Sequence, residues 1–395
     1  MRKNNPVRNM CLVILESAAT AGILAVPIMT PFYLSIGLNQ EQIAMSQMAF
    51  TVVAMVLNLP LGWVADHFSR KWANVVGDAM VALALLLYST ANSFWFTVMC
   101  EIICGVGCAL SQGVDSTLLK HFAEKTDKTG RLFKDQYGKM TSINQIASLV
   151  VMLLGGPIGA IDFRLAIAIS AIPHACGAIL SMLIQDDSER LAAESNPLRD
   201  IVNLVKRNVS NRKLRWRLAA FAVAREVTHG IIWVFTPLML AVGVPLAIVS
   251  MGWVINYIAA YCGTRLARRF ATKLPPWALF ITPITLVSFA SLTMFWHLSI
   301  VTVCLYACFG LAQGWSATTM MPLIKEQVKA AEQSSIESLA RVIAQALYIG
   351  AVWAINRAAD YDVRFALLAT VVIFVPLAIP IALKLRKEWK LPRLF

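Results

Sequence analysis

Seven ionisable side chains lie inside long apolar runs: Glu16, Asp78, Glu101, Arg225, Glu226, His229 and Arg341. A charge in such surroundings is expensive and is kept for a task. A carboxyl there can bind and release a proton, and a guanidinium can pair with a carboxylate or grip an anion. Spacing sorts them. Glu16 and Thr20 are four apart and share a helical face, as do Arg225 and His229. Glu226 is displaced from Arg225 by about 100° around its helix. Glu337, Arg341, Gln345 and Tyr348 form one polar stripe, and Thr141, Gln145 and Ser148 form another. The candidate proton-binding acids are therefore Glu16, Glu226 and Glu101. Glu16 is the first choice because no base lies near it in sequence. The candidate ligand contacts are Arg225, His229, Trp233, Tyr33, Arg341, Gln345, Tyr306 and Trp315. The aromatic members equally suit a membrane interface, and Arg225 equally suits a structural pair with a carboxylate. Asp78, near the end of its run, reads as a packing or latch residue.

The elements that position these groups are membrane helices. The chain has 395 residues, 58% hydrophobic and only 14% charged, against about 25% charged in soluble domains. Twelve apolar runs are long enough to span a bilayer: 10–34, 42–65, 73–91, 94–119, 140–160, 164–185, 217–241, 246–266, 276–294, 297–323, 335–356 and 363–384. The first run is too long for a signal peptide and lacks a small-residue cleavage site. Nearly all of the 35 lysines and arginines fall on one side if both termini are cytoplasmic; Arg164, Arg357 and Arg364 lie opposite. That is the positive-inside pattern, so the +13 net charge reflects topology. The bases are spread over loops and tails, which excludes a nucleic-acid surface.

The polar segment 186–216 divides six runs from six, giving an N-terminal bundle (1–185), a cytoplasmic loop (186–216) with a surface helix over 197–209, and a C-terminal bundle (217–395). The halves repeat. TPFYLSIGL (30–38) matches TPLMLAVGV (236–244), Gly105 and Lys120 match Gly310 and Lys325, and Asp162-Phe163-Arg164 matches Asp362-Val363-Arg364. The first alignment puts Glu16 one turn from the level of Glu226 on an equivalent face. Repeats with an even number of spans run the same way and are related by an axis along the membrane normal.

Between the second and third runs stands Gly62-Trp-Val-Ala-Asp66-His-Phe-Ser69-Arg70-Lys71. It resembles the signature loop of the Major Facilitator Superfamily, with Ser69 in place of the second glycine and His67 in place of a base. The resemblance covers about residues 10–385. It implies an all-α membrane protein of two six-helix bundles with a cavity between them. It also implies a gating latch of Gly62, Asp66, Arg70 and Lys71, with Asp115 opposite Arg70. Gly155, Gly156, Pro157 and Gly159 resemble part of the helix-bend motif of drug-exporting members. Gly105 and Gly107 fit a pattern of proton-coupled members, but Glu101 stands where those carry Arg.

The resemblance therefore implies a secondary transporter in a bacterial cytoplasmic membrane, monomeric and without cofactor, moving a small molecule with protons as partner. Export of an amphipathic or cationic compound is the first expectation; uptake of a polar or anionic solute is the alternative. No P-loop, HExxH or GxSxG motif supports an enzyme. Cys100, Cys104 and Cys108 recur along one helix face, where cysteine serves as a small packing residue, and no metal site is expected.

Overall fold

The computed structural model describes residues 5–67, 69–128, 131–185, 211–271, 273–327 and 333–390. Within them all regular structure is helical: α1 (Pro6–Ala19), α2 (Met29–Ser35), α3 (Gln40–His67), α4 (Arg70–Ser89), α5 (Phe94–Ser111), α6 (Val114–Thr126), α7 (Arg131–Ile161), α8 (Phe163–Leu183), α9 (Arg212–His229), α10 (Ile232–Ala241), α11 (Val249–Phe270), α12 (Pro276–Trp296), α13 (Ile300–Val303), α14 (Ala307–Lys325), α15 (Gln333–Ala359) and α16 (Phe365–Lys390), with short 3-10 turns between some of them. The loop helix expected over 197–209 lies outside the described residues. Ten helical segments among the described residues are long and apolar enough to cross a membrane. The helices group into two compact units, residues 1–38 with 49–197, and 39–48 with 198–395.

Local signals start the helices where the sequence places polar caps. Asn5 accepts from the amides of Val7 and Arg8, Asp162 from Leu165, and Asn211 from Lys213 and Leu214. Ser69, the residue that departs from the signature loop, accepts from Trp72 and caps α4. Each satisfies an amide that the helix itself leaves open.

Burial is inverted relative to a water-soluble protein. Trp95, Ile161, Trp296 and Val301 are exposed, while Glu16, Asn74, Asp78, Ser170, Ser181, Glu226 and Thr370 are buried. Polar groups inside and apolar groups outside are what a lipid surround demands.

Several expected single spans are interrupted. The first run is cut between α1 and a 3-10 turn at Val26–Ile28. Its freed backbone groups find side chains: Ser148 Oγ donates to the Ala21 carbonyl (2.7 Å), and the Ala25 amide donates to Ser170 Oγ (3.0 Å). Irregular backbone at membrane depth is tolerated only with such partners. Gly155 and Gly159 of α7 lie against this interruption; a Cβ on Gly155 would collide with the Leu24 backbone, and one on Gly159 with Ile28. The helix runs on through Pro157. The fourth run divides at Gly113, whose φ of 80° falls where glycine is favoured. The seventh divides at Gly230–Ile231, and the tenth comprises α13, a 3-10 turn and α14. In the second unit, the first turn of α3 is held by Asp360, which accepts from the amides of Gln40 (2.7 Å) and Glu41 (3.0 Å), and by the Arg357–Glu41 pair at 2.6 Å.

Candidate functional site

In the second unit, α9, α14 and α15 enclose a cavity of about 370 Å³ lined by Phe221, Arg225, Thr228, His229, Gln313, Ser316, Ala317, Met321, Glu337 and Arg341. Successive turns of α9 supply Phe221, Arg225 and Thr228-His229, and α14 supplies Gln313, Ser316 and Ala317, so helical spacing sets the lining. Arg225 Nε lies 3.1 Å from Glu226 Oε1; Glu226 is buried and Arg225 half-buried toward the cavity. His229 Nδ1 lies 2.8 Å from the Arg225 carbonyl, which requires the proton on that nitrogen and leaves Nε2, 3.5 Å from Gln313, as an acceptor. Ser316 donates to the Ala224 carbonyl (2.9 Å) and ties α14 to α9.

Arg341 is also paired. Its Nη2 lies 2.8 Å from Glu337 Oε1, and Lys325 Nζ lies 2.6 Å from Glu337 Oε2. Partial burial pushes the Glu337 carboxyl up, but the hydrogen bonds and charges of Lys325 and Arg341 outweigh it and hold the group below the usual 4.5.

The other expected contacts divide. Tyr306 stacks on Phe235 at 3.3 Å between ring centroids, beside a smaller recess of about 40 Å³ that it shares with His229, Trp253, Asn256 and Gln313. Trp233 donates to the Tyr348 hydroxyl at 3.0 Å. Gln345 sits partly buried one turn beyond Arg341 on α15. Trp315 is buried, donates to the Leu279 carbonyl at 2.9 Å and packs on Phe270, away from the cavity lining. Tyr33 belongs to the first unit, where its hydroxyl donates within a buried trio with Tyr88 (3.1 Å) and Glu101 (3.1 Å). Gln313, Thr228 and Ser316 line the cavity and were not among the expected contacts. A glutamine inside an apolar run was the available signal for Gln313.

In the first unit, Glu16 on α1 comes within hydrogen-bonding reach of Asp78 on α4 and Asp115 on α6. Asp115, expected opposite Arg70, turns inward: it accepts from Asn74 Nδ2 (3.2 Å) and meets Ser17 and Glu16. Arg70 lines a small recess with Gln112, Gly113 and Thr117, and Lys71 lies 5.7 Å over the Trp72 ring. Gly62 and Asp66 fall within α3, but their side chains lie outside the described residues. Among the described residues no group of three or more His, Cys, Asp or Glu is placed to hold a metal ion.

Apolar spanning helices, two units with interrupted spans and a polar cavity inside one of them define an integral membrane transporter. The family model of the Major Facilitator Superfamily matches residues 11–352, and the chain belongs to that family. Among solved structures, the nucleoside transporter NupG matches with a TM-score of 0.77 at 12% identity, covering 98% of this chain and 99% of that one. A bacterial homologue of the human lysosomal transporter Spinster, in its inward-facing unoccupied conformation, matches with a TM-score of 0.74 at 13% identity, covering 98% and 97%. At these identities the likeness speaks for the fold. No curated protein matches the chain. The family makes it a transporter and not an enzyme.

Proposed function

We propose that the protein is a proton-coupled secondary transporter that exports a small amphipathic or cationic compound by alternating access, with both termini in the cytoplasm of a bacterial cell. The observation that carries the substrate class is the pairing of both cavity arginines. Arg225 is engaged by Glu226 and Arg341 by Glu337, so neither presents a free fork to an anion. Phe221, Ala317 and Met321 give the cavity an apolar wall, and Thr228, His229, Gln313 and Ser316 give it a hydrogen-bonding one. A cavity of about 370 Å³ lies near the small end of ligand sites. The buried acids, Glu16 foremost, supply the proton-binding groups. Gly62, Asp66, Arg70 and Lys71 are kept as the gating loop by their resemblance to the family's signature.

Uptake of a small polar solute is the second reading. It is favoured by Gln313 and the partly exposed Arg225 in the cavity wall, and by the likeness to a nucleoside transporter. The test is a thermal-shift screen of amphipathic cations, nucleosides, sugars, amino acids and organic anions, since a ligand of the folded state raises apparent stability. Hits then go to proteoliposomes under an imposed pH gradient. The export reading expects an amphipathic cation that stabilises the protein and moves against the proton gradient. Stabilisation by nucleosides or anions alone would replace it with the second reading, and flux indifferent to the gradient would remove proton coupling.

A further inference from the structure

Glu16, Asp78 and Asp115 come from three helices and meet in the interior of the first unit. Glu16 hydrogen-bonds with both aspartates, and Asp115 also meets Ser17 and Asn74. Two carboxyl groups can be hydrogen-bonded to each other only when a proton lies between them, because an ionised carboxylate is an acceptor alone. Glu16 is 1% exposed and Asp78 3% exposed, and with both groups ionised Glu16 Oε2 and Asp78 Oδ2 have no donor. Asn74, fully buried, spends its amide hydrogens on Asp115 (3.2 Å) and Ser181 (3.1 Å) and leaves its oxygen unpartnered beside them. The orphaned atoms are all acceptors, so the site is short of donors.

The surroundings offer no compensating charge. From α1 come Ser17 and Thr20; from α7 comes Asn144, which donates to Ser17 (2.9 Å). From α8 come Gly177, beside Asp78 Oδ2, and Ser181. His174, one turn from Gly177 on α8, has both ring nitrogens buried and unpartnered. The titratable group contributed by α5 is the Cys108 thiol, which feels the Asp78 charge. Among the described residues no lysine or arginine pairs with any of the three acids. The helix ends separate the roles. Asp115 lies in the first turn of α6, where the helix dipole favours an anion. Glu16 lies in the last turn of α1, where the dipole disfavours one.

We infer that Glu16, Asp78 and Asp115 form one proton-holding unit, in which the proton on Glu16 is shared with the two aspartates and the three groups titrate together. This rests on the proton-coupled reading and adds Asp78 and Asp115 to it as positioning groups. Loading takes a proton from hydronium and leaves water. Inside the unit one O–H bond breaks as another forms, and each proton changes the net charge of the trio by one.

Infrared titration of the purified full chain in lipid nanodiscs reads this directly, through the carbonyl stretch of protonated carboxyls and its shift in heavy water. The wild type should titrate in more than one step, as interacting groups do. Glu16→Gln should remove one band. Asp78→Asn and Asp115→Asn should each move the titration of the remaining Glu16 band by about one pH unit. Carbon-13 labelling of the aspartate carboxyls in the unmutated protein reads the same coupling without a variant: labelled and unlabelled bands should change together. If Glu16 titrates unaltered in both Asn variants, or the labelled and unlabelled bands change independently, the unit falls and Glu16 stands as a lone carrier, with proton coupling intact. Bands that respond to sodium against choline and not to pH would make the trio a sodium site and overturn the inference. Absence of any titrating carboxyl band would overturn it too, and gradient-driven flux would then judge proton coupling separately.

Discussion

In the second unit Glu226 lies 3.1 Å from Arg225, and Glu337 bridges Lys325 and Arg341. In the first unit Glu16, Asp78 and Asp115 have each other, Ser17 and Asn74. The same residue type thus lives under two regimes. An acid with a base is locked in one charge state, because removing either partner strands a buried charge. An acid whose partners are other acids needs a proton, and the proton can leave. The paired region is suited to shape a binding cavity and the unpaired one to respond to pH.

The widest separation between the two regimes should appear on removing a base. Arg225→Ala strands buried Glu226 and should lower unfolding free energy by about 3 kcal/mol, the low end for buried pairs because Arg225 is half-buried. Adding Glu226→Gln should recover much of the loss. Denaturant unfolding in detergent checks both, and additive effects would break the comparison. Next comes a change that leaves the acids alone. Gly155→Ala drives a Cβ into the Leu24 backbone and should cost about 2 kcal/mol through overpacking; an unchanged melting temperature would show that the interruption of the first span yields easily.

A smaller effect belongs to Glu337. Its carboxyl is held below 4.5 by Lys325 and Arg341, so its contribution is present in full above that pH and lost as the pH falls below it. Glu337→Gln should cost about 1 kcal/mol near neutrality and flatten this acid limb of the stability profile. A limb of unchanged slope would argue that the pair is held by packing alone. The smallest effect should follow Glu16→Gln. It removes an acid that has no base to strand, so stability should change by less than about 1 kcal/mol while pH-driven flux is lost. A loss as large as that of Arg225→Ala would mean that Glu16 is paired after all.

Much of this was legible in the sequence, for reasons that differ by residue. The signature loop from Gly62 to Lys71 carried the family, because its glycine, acid and bases stand at fixed spacing. Arg225, His229 and Arg341 were found because a charge in an apolar run stands out, and the i, i+4 rule put Arg225 and His229 on one face, which is the cavity face. Spacing along one helix cannot say which faces of different helices meet. Asp78 therefore read as packing, and Asp115 as the partner of Arg70, until α1, α4 and α6 were seen together. The interruption after Ala19 was equally hidden: the run TAGILAVP holds no proline before Pro27, and the hydroxyls that permit the break, Ser148 and Ser170, are more than a hundred residues away.

Synthesis runs from the N-terminus, so α1 leaves the ribosome before any of the groups that complete it. On insertion scales an ionisable side chain at the centre of a helix costs about 3 kcal/mol, and α1 ends at Ala19, well short of a bilayer's width. Asp78, Asp115, Ser148 and Ser170 are translated afterwards. The earliest segment made is then among the last to settle in the bilayer. It waits at the interface until α8 has arrived, and the order of assembly in this unit differs from the order of its sequence.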